Sequence, residues 1–119
     1  MTEIIRIDQN DRRSRASVFG DLVFLAGQVA GDTSADIGPQ TQHALDRVDE
    51  MLARAGTDKS RALSVQIWLR DIADLEGMNA VYDRWVVPDH RPSRCCAQIA
   101  AFGDPNCRVE IIVVAAGAA

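Results

Sequence analysis

Apolar and polar residues alternate with a period of two along residues 63–69, and this spacing predicts a β-strand. Short apolar runs bounded by glycine, proline or aspartate predict five further strands. They cover residues 4–7, 16–19, 22–29, 94–101 and 108–116. Gly20-Asp21, between the second and third of these strands, is a two-residue hairpin signal. Gly103-Asp104-Pro105-Asn106 predicts the turn between the last two.

Two other segments have apolar residues at intervals of three and four, as expected for amphipathic helices. The first helix is predicted over residues 39–55, where Pro39 suits the first turn and Gly56 suits the C-terminal cap. The second, over residues 75–85, has Asp71 or Asp74 as its N-terminal cap and ends before Pro88. Their apolar faces comprise Ala44, Leu45, Val48, Met51, Leu52 and Ala55 in the first helix and Leu75, Met78, Tyr82 and Trp85 in the second.

The predicted order is three strands, a helix, a strand, a helix and two strands, which indicates a single α+β domain over residues 1–119. Both helices fit most naturally on one face of a mixed sheet. However, residues 111–116 are apolar at consecutive positions, a pattern typical of a strand that is buried on both faces. We therefore expect identical subunits to cover the second face, although the pattern does not give their number.

Composition excludes several classes of protein. Hydrophobic residues make up 47% and charged residues 25% of the chain, values that are typical of a globular domain. The net charge of −4 argues against nucleic acid as the main partner, because phosphate binding needs a basic surface. The chain begins without a signal-peptide pattern and has no apolar stretch of about 20 residues, so we expect a cytoplasmic protein without membrane contact.

The cysteines and histidines do not form a recognisable metal or redox motif. Cys95 and Cys96 are adjacent in a predicted strand, so their side chains point to opposite faces, and Cys107 makes the number of cysteines odd. His43 and His90 lie apart, without the spacing of zinc ligands. The sequence also lacks nucleotide-binding and nucleophile-elbow motifs. We expect neither a metal nor a cofactor.

The residues most suggestive of chemistry are Glu110 and Arg94. Glu110 stands near the start of the most apolar run in the chain, and Arg94 lies in the strand before it. A carboxylate inside an apolar sheet must be paired or hydrogen-bonded, or it takes up a proton. Three interpretations follow: the two groups act in catalysis, they form an ion pair that only organises an interface, or Glu110 faces water at the strand entrance.

Four short segments, in this order along the chain, resemble the RidA/YjgF family of small imine deaminases. They are Leu-Ala-Gly-Gln-Val at 25–29, Met-Asn-Ala-Val-Tyr at 78–82, Pro-Ser-Arg-Cys-Cys at 92–96 and Val-Glu-Ile at 109–111. The resemblance spans nearly the whole chain. It implies a chorismate-mutase-like fold and a homotrimer whose sheets line a barrel-like core. It also implies active sites in clefts between subunits.

The resemblance assigns a role to several residues. Arg94 matches the arginine that grips the substrate carboxylate, and Glu110 matches the acid of the last strand. Cys96 matches the cysteine whose main chain lines the site. Asn79 matches a helix residue near the cleft, and Gly27 matches the glycine of the early hairpin.

The chain departs from the family pattern at two positions. Many members have Ser before the early glycine, where this chain has Ala26, and a Tyr in the first hairpin, where this chain has Arg13. The sequence Arg12-Arg13-Ser14 is more similar to a branch of the family with Arg-x-Ser at this place. Arg13 is therefore a candidate substrate contact, although a cluster of arginines is more often a solvated surface.

The resemblance implies that the protein hydrolyses a 2-imino acid, such as 2-iminopropanoate or 2-iminobutanoate, or its 2-enamino tautomer. The products are a 2-oxo acid and ammonia, and the reaction clears reactive intermediates that pyridoxal enzymes release. A second hypothesis is a non-catalytic ligand-binding or regulatory trimer that uses Arg94 to hold a 2-oxo acid or a similar carboxylate. Ribonuclease activity or translation inhibition, attributed to some relatives, is disfavoured by the acidic charge.

Overall fold

Residues 2–118 are described by a computed structural model, in which six strands form one mixed sheet. In chain order the elements are β1 (Ile4–Ile7), β2 (Ala16–Phe19), β3 (Leu22–Leu25), α1 (Ile37–Arg54), β4 (Ala62–Leu69), α2 (Leu75–Trp85), β5 (Ser93–Gln98) and β6 (Val109–Ala116). The strand order across the sheet is β1-β2-β3-β6-β4-β5. All neighbours are antiparallel except β4 and β5, which are parallel. Short 3₁₀ turns precede β4 and α2.

Both helices pack on the same face of the sheet, which we call the helix face. In β6, Val109, Ile111, Val113 and Ala115 are buried there, whereas the residues between them are half-exposed on the other face. The buried positions of β4 alternate in the same way, apart from an irregularity near Ala62. The predicted α+β arrangement, a mixed sheet with two helices on one face, is confirmed. Within residues 2–118, neither helix is long and apolar enough to cross a membrane.

The ends of α1 have identifiable signals. The helix begins at Ile37, not at the predicted Pro39, because the Asp36 side chain accepts a hydrogen bond from the Ile37 N–H and caps it earlier. At the other end Gly56 has φ +83°, as predicted for a cap. The Gly56 and Thr57 N–H groups donate to the Ala53 and Leu52 carbonyls, which is the Schellman arrangement.

Two strand predictions were too long. The third strand ends at Leu25, and after it only Gln28 pairs again, with Ile111 of β6. Phe24 pairs with Val114 and Gln28 pairs with Ile111, so four residue steps on this segment lie opposite three on β6. The segment after β3 therefore contains a one-residue bulge. The fifth strand ends at Gln98. The predicted hairpin at Gly20-Asp21 is confirmed, with Phe19 paired to Leu22 and Gly20 at φ +58°.

The second face of the sheet, which we call the open face, is partly apolar. Leu22, Phe24 and Trp68 are 39%, 44% and 36% exposed, and Ile112 and Val114 are half-buried beside them. No element of residues 2–118 covers this face. An apolar surface of this kind is typical of a protein–protein contact. The predicted trimer with a barrel-like core would cover it, and remains a prediction.

Candidate functional site

Arg94 lies on the edge strand β5 and projects from the helix face. It stands opposite Val65 of β4, which is buried under the helices. The guanidinium carbon lies 4.7 Å from the centre of the Tyr82 ring, a cation–π distance. Within residues 2–118, Arg94 makes no ion pair with a carboxylate. Its forked donors are therefore exposed and available to an anion.

The main chain next to Arg94 also offers hydrogen-bonding groups. β5 pairs with β4 on one side only. The Ile99 N–H donates to the Leu69 carbonyl of β4. Because N–H and C=O directions alternate along a strand, those of Arg94, Cys96 and Gln98 point away from β4. The free edge thus places the Cys96 main chain beside the Arg94 side chain, as its predicted lining role requires.

Cys96 and Asn79 lie on the same side of the sheet as Arg94. Burial raises the pKa of the Cys96 thiol, and the nearby Arg94 charge opposes this. The thiolate is thus disfavoured, which argues against a nucleophile. Asn79 precedes Tyr82 by one helical turn of α2. Its Oδ1 is buried, without a hydrogen-bond donor among the described residues. Such unsatisfied acceptors are rare in folded proteins.

Glu110 lies on the open face. It stands opposite Trp68 of β4, and burial raises the pKa of its carboxyl above the ordinary value. Gly27 is directly against it: a Cβ at Gly27 would overlap the Glu110 carboxylate, so a larger residue there would displace this side chain. The bulge after β3 brings Gly27 to this position. Glu110 and Gly27 therefore form one unit.

Arg94 and Glu110 are on opposite faces of the same sheet. The sheet separates them within one chain, so an ion pair that organises an interface would need a neighbouring subunit, and it stays a prediction. Glu110 is half-buried on the open face, and the hypothesis that it only faces water stays a prediction. A catalytic pair of Arg94 and Glu110 cannot form within one chain.

Arg13 lies in a third place, in the loop between β1 and β2. Its N–H donates to the Asn10 side chain, and its guanidinium donates to the Asp8 carbonyl over 3.0 Å. β1 is at the opposite edge of the sheet from β5. Five strand spacings of about 4.8 Å put the two edges roughly 24 Å apart. Arg13 therefore does not reach Arg94 within one chain.

Several residues that support the candidate site were not foreseen from the sequence. Tyr82, predicted to lie on the apolar face of the second helix, stacks on Arg94. His43 Nδ1 accepts from the Gly31 N–H over 3.0 Å, and Arg47 donates to the Val29 carbonyl over 3.0 Å, so α1 holds the loop after the bulge. The only sequence signal for His43 and Arg47 was their spacing of four on one helix.

Glu110 lines a cavity of about 250 Å³ at the end of the sheet where this loop meets the turn before β6. Val29, Ala30 and Gly31 line it from the loop, and Phe102, Gly103, Asp104 and Cys107 line it from the turn, together with Thr33. Among residues 2–118, no group of three or more His, Cys, Asp or Glu side chains is close enough to hold a metal ion.

The sequence matches the family described as Endoribonuclease L-PSP over residues 5–117. The chain belongs to the RidA/YjgF family. A RutC family protein of Haemophilus ducreyi is 40% identical to this RidA/YjgF protein over 95% of this chain and 96% of its own length. A crystal structure of a YjgF protein family member from Neisseria meningitidis has a TM-score of 0.94 and 34% identity, covering 98% of this chain and 97% of that one. The 3-aminoacrylate deaminase RutC of Acinetobacter baylyi is 31% identical over 80% of this chain and 79% of its own length.

Proposed function

We propose that this protein is a hydrolytic deaminase that converts reactive 2-imino acids, and their 2-enamino tautomers, into 2-oxo acids and ammonia. The observation that carries the proposal is the state of Arg94: its guanidinium is exposed, lacks an acidic partner in the described chain, and lies beside outward-facing main-chain groups. The name of the Acinetobacter relative supports an enamine-type substrate. 2-Iminopropanoate and 2-iminobutanoate are the simplest substrates of this class.

Arg94 binds the substrate carboxylate. A guanidinium offers two parallel charge-assisted hydrogen bonds in a plane, which fix the orientation of the carboxylate as well as its position. The Tyr82 ring supports one face of the guanidinium, 4.7 Å away. The Cys96 N–H at the free edge supplies a further donor to the bound anion. Asn79, one helical turn before Tyr82 in α2, has a buried Oδ1 without a donor among the described residues.

Glu110 moves the protons of the reaction. Water adds to the imine carbon, the C–N bond breaks, and ammonia leaves while the carbon retains the oxygen of the water. A carboxyl group with a raised pKa can take a proton from the attacking water and give one to the departing nitrogen. Glu110 has this property because burial disfavours its charged form.

A complete site requires two subunits. Arg94 and Glu110 lie on opposite faces of the sheet, and Arg13 lies at its far edge. The apolar open face gives a second copy a surface to bury. We propose that the edge of one subunit, with Arg94, Cys96 and Asn79, meets the Glu110–Gly27 unit of its neighbour. Arg13 joins this cleft only if the neighbour's first loop reaches it.

We expect a homotrimer of about 39 kDa, three times the 13.0 kDa chain. The physical reason is the apolar open face, and the number three comes from the family resemblance. Light scattering coupled to size-exclusion chromatography at micromolar concentration measures the mass directly. A stable monomer would remove the basis for an intersubunit site.

Cys96→Ala should retain most of the activity, because the proposed contribution of Cys96 is its main chain and not its thiol. Cys95→Ala, with its side chain on the other face, is the matched control. Steady-state kinetics on both variants tests this. If Cys96→Ala and thiol alkylation of the intact trimer each abolished turnover, Cys96 would be a nucleophile.

A non-catalytic ligand-binding trimer is the second candidate. It is favoured by one observation: Arg94 and Glu110 lie on opposite faces of the sheet, so that within one chain Arg94 can meet a carboxylate without Glu110. The deciding experiment generates imines in place with an amino-acid oxidase and measures release of ammonia or 2-oxo acid. Binding of 2-oxo acids without accelerated release would support this candidate. RNA cleavage is disfavoured by the net charge of −4, and a cytoplasmic location stays a prediction.

A further inference from the structure

Trp68 lies beside Glu110 on the open face, and the reaction described above gives it no role. We propose that Trp68 is a positioning residue for the deaminase: its indole ring shields the Glu110 carboxyl from water and makes the carboxylate a stronger base. This inference rests on the proposed deaminase function, and it names the residue that prepares Glu110 for its part in the reaction.

Trp68 and Glu110 are direct partners in the sheet. They stand opposite each other in the antiparallel pair of β4 and β6, and both side chains project from the open face. The Cβ atoms of such a pair are about 4.5–5.5 Å apart, so a large ring reaches across its partner. The partner of Trp68 in β5 is the small Ala97. The indole ring is therefore the largest side chain next to Glu110 on this face.

The other surroundings of Glu110 leave the open face to Trp68. Gly27 is against the carboxylate but contributes main chain only. The cavity residues, among them Phe102, lie beyond the end of the sheet. Glu110 is nevertheless half-buried in a single chain, on a face that no element of residues 2–118 covers. We attribute this shielding mainly to the ring of Trp68.

Charges within the chain do not account for the state of Glu110. Burial raises the pKa of its carboxyl, and no charge within residues 2–118 contributes to the shift. The charged or titratable groups on the elements around it are Arg70 after β4, Asp104 and Cys107 in the turn, Arg108 before β6, and His43 and Arg47 on α1. In the proposed trimer, the Arg94 guanidinium of a neighbouring subunit adds a charge that acts on all the variants below alike.

An apolar ring next to a carboxyl disfavours its charged form, because the ring excludes water without offering a hydrogen bond. The indole N–H would have the opposite effect if it donated to the carboxylate, but no hydrogen bond within residues 2–118 contributes to the pKa of Glu110. A carboxylate with a raised pKa takes a proton more readily from the attacking water. Trp68 thus acts on the reaction through Glu110, without a need to touch the substrate.

Titration of the glutamate side chains by NMR tests the inference without relying on turnover. The chain has four glutamates, at positions 3, 50, 76 and 110, so ¹³C-labelled glutamate gives few signals and Glu110→Gln identifies the relevant one. In Trp68→Ala we expect the midpoint of Glu110 to fall towards the ordinary value of 4.5, while the other three stay unchanged. Trp68→Phe should keep the wild-type midpoint, because a phenyl ring is also apolar and has no donor.

The pH profile of kcat gives a second readout, with amino-acid oxidase in excess and spontaneous hydrolysis subtracted. Its acidic limb reports the ionisation of Glu110. In Trp68→Ala the limb should move to lower pH, because a lower pKa leaves Glu110 ionised in more acidic solution. Above the limb kcat should fall by less than about tenfold, since the base remains in place. Phe24→Ala is the matched control, because it removes an open-face ring that stands opposite Val114 and not Glu110.

Each variant is measured in its assembled form, with the mass checked by light scattering. If Trp68→Ala dissociates, Trp68→Leu replaces it, because leucine keeps an apolar contact and covers less of the carboxyl; the same shift is then expected at smaller size. An unchanged or raised Glu110 midpoint, or an acidic limb that stays in place, would overturn the inference and leave the deaminase function standing. A wild-type protein that hydrolyses no imino acid would overturn both.

Discussion

Arg94→Ala should abolish imine hydrolysis and leave the fold and the trimer intact. The variant removes the two parallel hydrogen bonds to the substrate carboxylate, and each charge-assisted bond contributes about 1.5–3 kcal/mol when shielded from water. The loss in kcat/KM is therefore expected to be roughly 10²- to 10⁴-fold or more. Arg94→Lys should lose most of the activity as well, because an ammonium cannot make the same planar contact.

The stability of Arg94→Ala separates a binding role from a structural one. If Arg94 neutralised Glu110, its removal would leave a buried charge unpaired and cost about 3–5 kcal/mol. Because Arg94 is exposed and burial disfavours the charged form of Glu110, we expect a smaller loss. The contact with Tyr82 contributes about 0.5–1 kcal/mol. The measurements are activity, thermal melting and binding of a 2-oxo acid on the same preparation.

Arg84→Ala is the matched control for Arg94→Ala. Arg84 is an exposed arginine of α2 that donates to the Ala80 carbonyl of its own helix. Removing it changes the net charge of the chain by the same amount. Activity near that of the wild type in Arg84→Ala, with none in Arg94→Ala, is the expected result. Turnover of Arg94→Ala at the wild-type rate would refute the carboxylate-binding role.

Glu110→Gln should reduce kcat by roughly 10²- to 10⁴-fold, because an amide cannot exchange protons with water and the departing nitrogen. The two side chains have almost the same shape, so the contact with Gly27 is preserved. Binding of a 2-oxo acid should be nearly unchanged, since Arg94 makes that contact. Glu50→Gln, at an exposed position of α1, is the matched control and should behave as the wild type does.

Glu110→Gln should also change how the free energy of unfolding depends on pH. Burial raises the pKa of Glu110 in the folded chain above 4.5, so the folded chain keeps this proton at pH values where the unfolded chain has lost it. The contribution of Glu110 to the free energy of unfolding therefore falls as the pH rises from about 4.5 through the folded pKa, and it stays low above that point. Glu110→Gln should remove this decline. Urea unfolding at several pH values measures it.

The Arg94→Ala background gives the clearest version of this test, because a neighbouring subunit's guanidinium can then no longer offset the effect of burial. We expect the double variant, with Arg94→Ala and Glu110→Gln, to be at least as stable at neutral pH as the Arg94→Ala variant alone. If the Arg94→Ala variant became more stable as the pH rises from about 4.5 through the folded pKa of Glu110, another group would be stabilising the charged form of Glu110.

The elements of the fold could be predicted because their signals are local. The alternation in β4 and the three- and four-residue spacing in α1 and α2 each reflect burial against a single face. The errors occurred at ends, where a local competitor intervened. The cap at Asp36 makes α1 begin at Ile37 and not at Pro39, and the bulge after Leu25 interrupts the predicted third strand.

The direction of Arg94 could not be predicted in the same way. β5 reads Ser-Arg-Cys-Cys-Ala-Gln, which has no apolar alternation, so its sequence does not indicate which residues face the helices. Only the register with β4, which pairs Arg94 with Val65, decides this. The sequence placed Tyr82 on the apolar face of the second helix, whereas its contact with Arg94 depends on the distance between α2 and β5.

The sequence by itself determined the elements, the class of fold and the family, because these depend on periodicity and on short motifs that survive without the rest of the structure. The tertiary structure decided how the candidate site is divided. Pairing between strands distant in sequence put Arg94 and Glu110 on opposite faces and Arg13 at the far edge, and the bulge put Gly27 against Glu110. These relations are set by register and by contacts between distant segments, which no local pattern encodes.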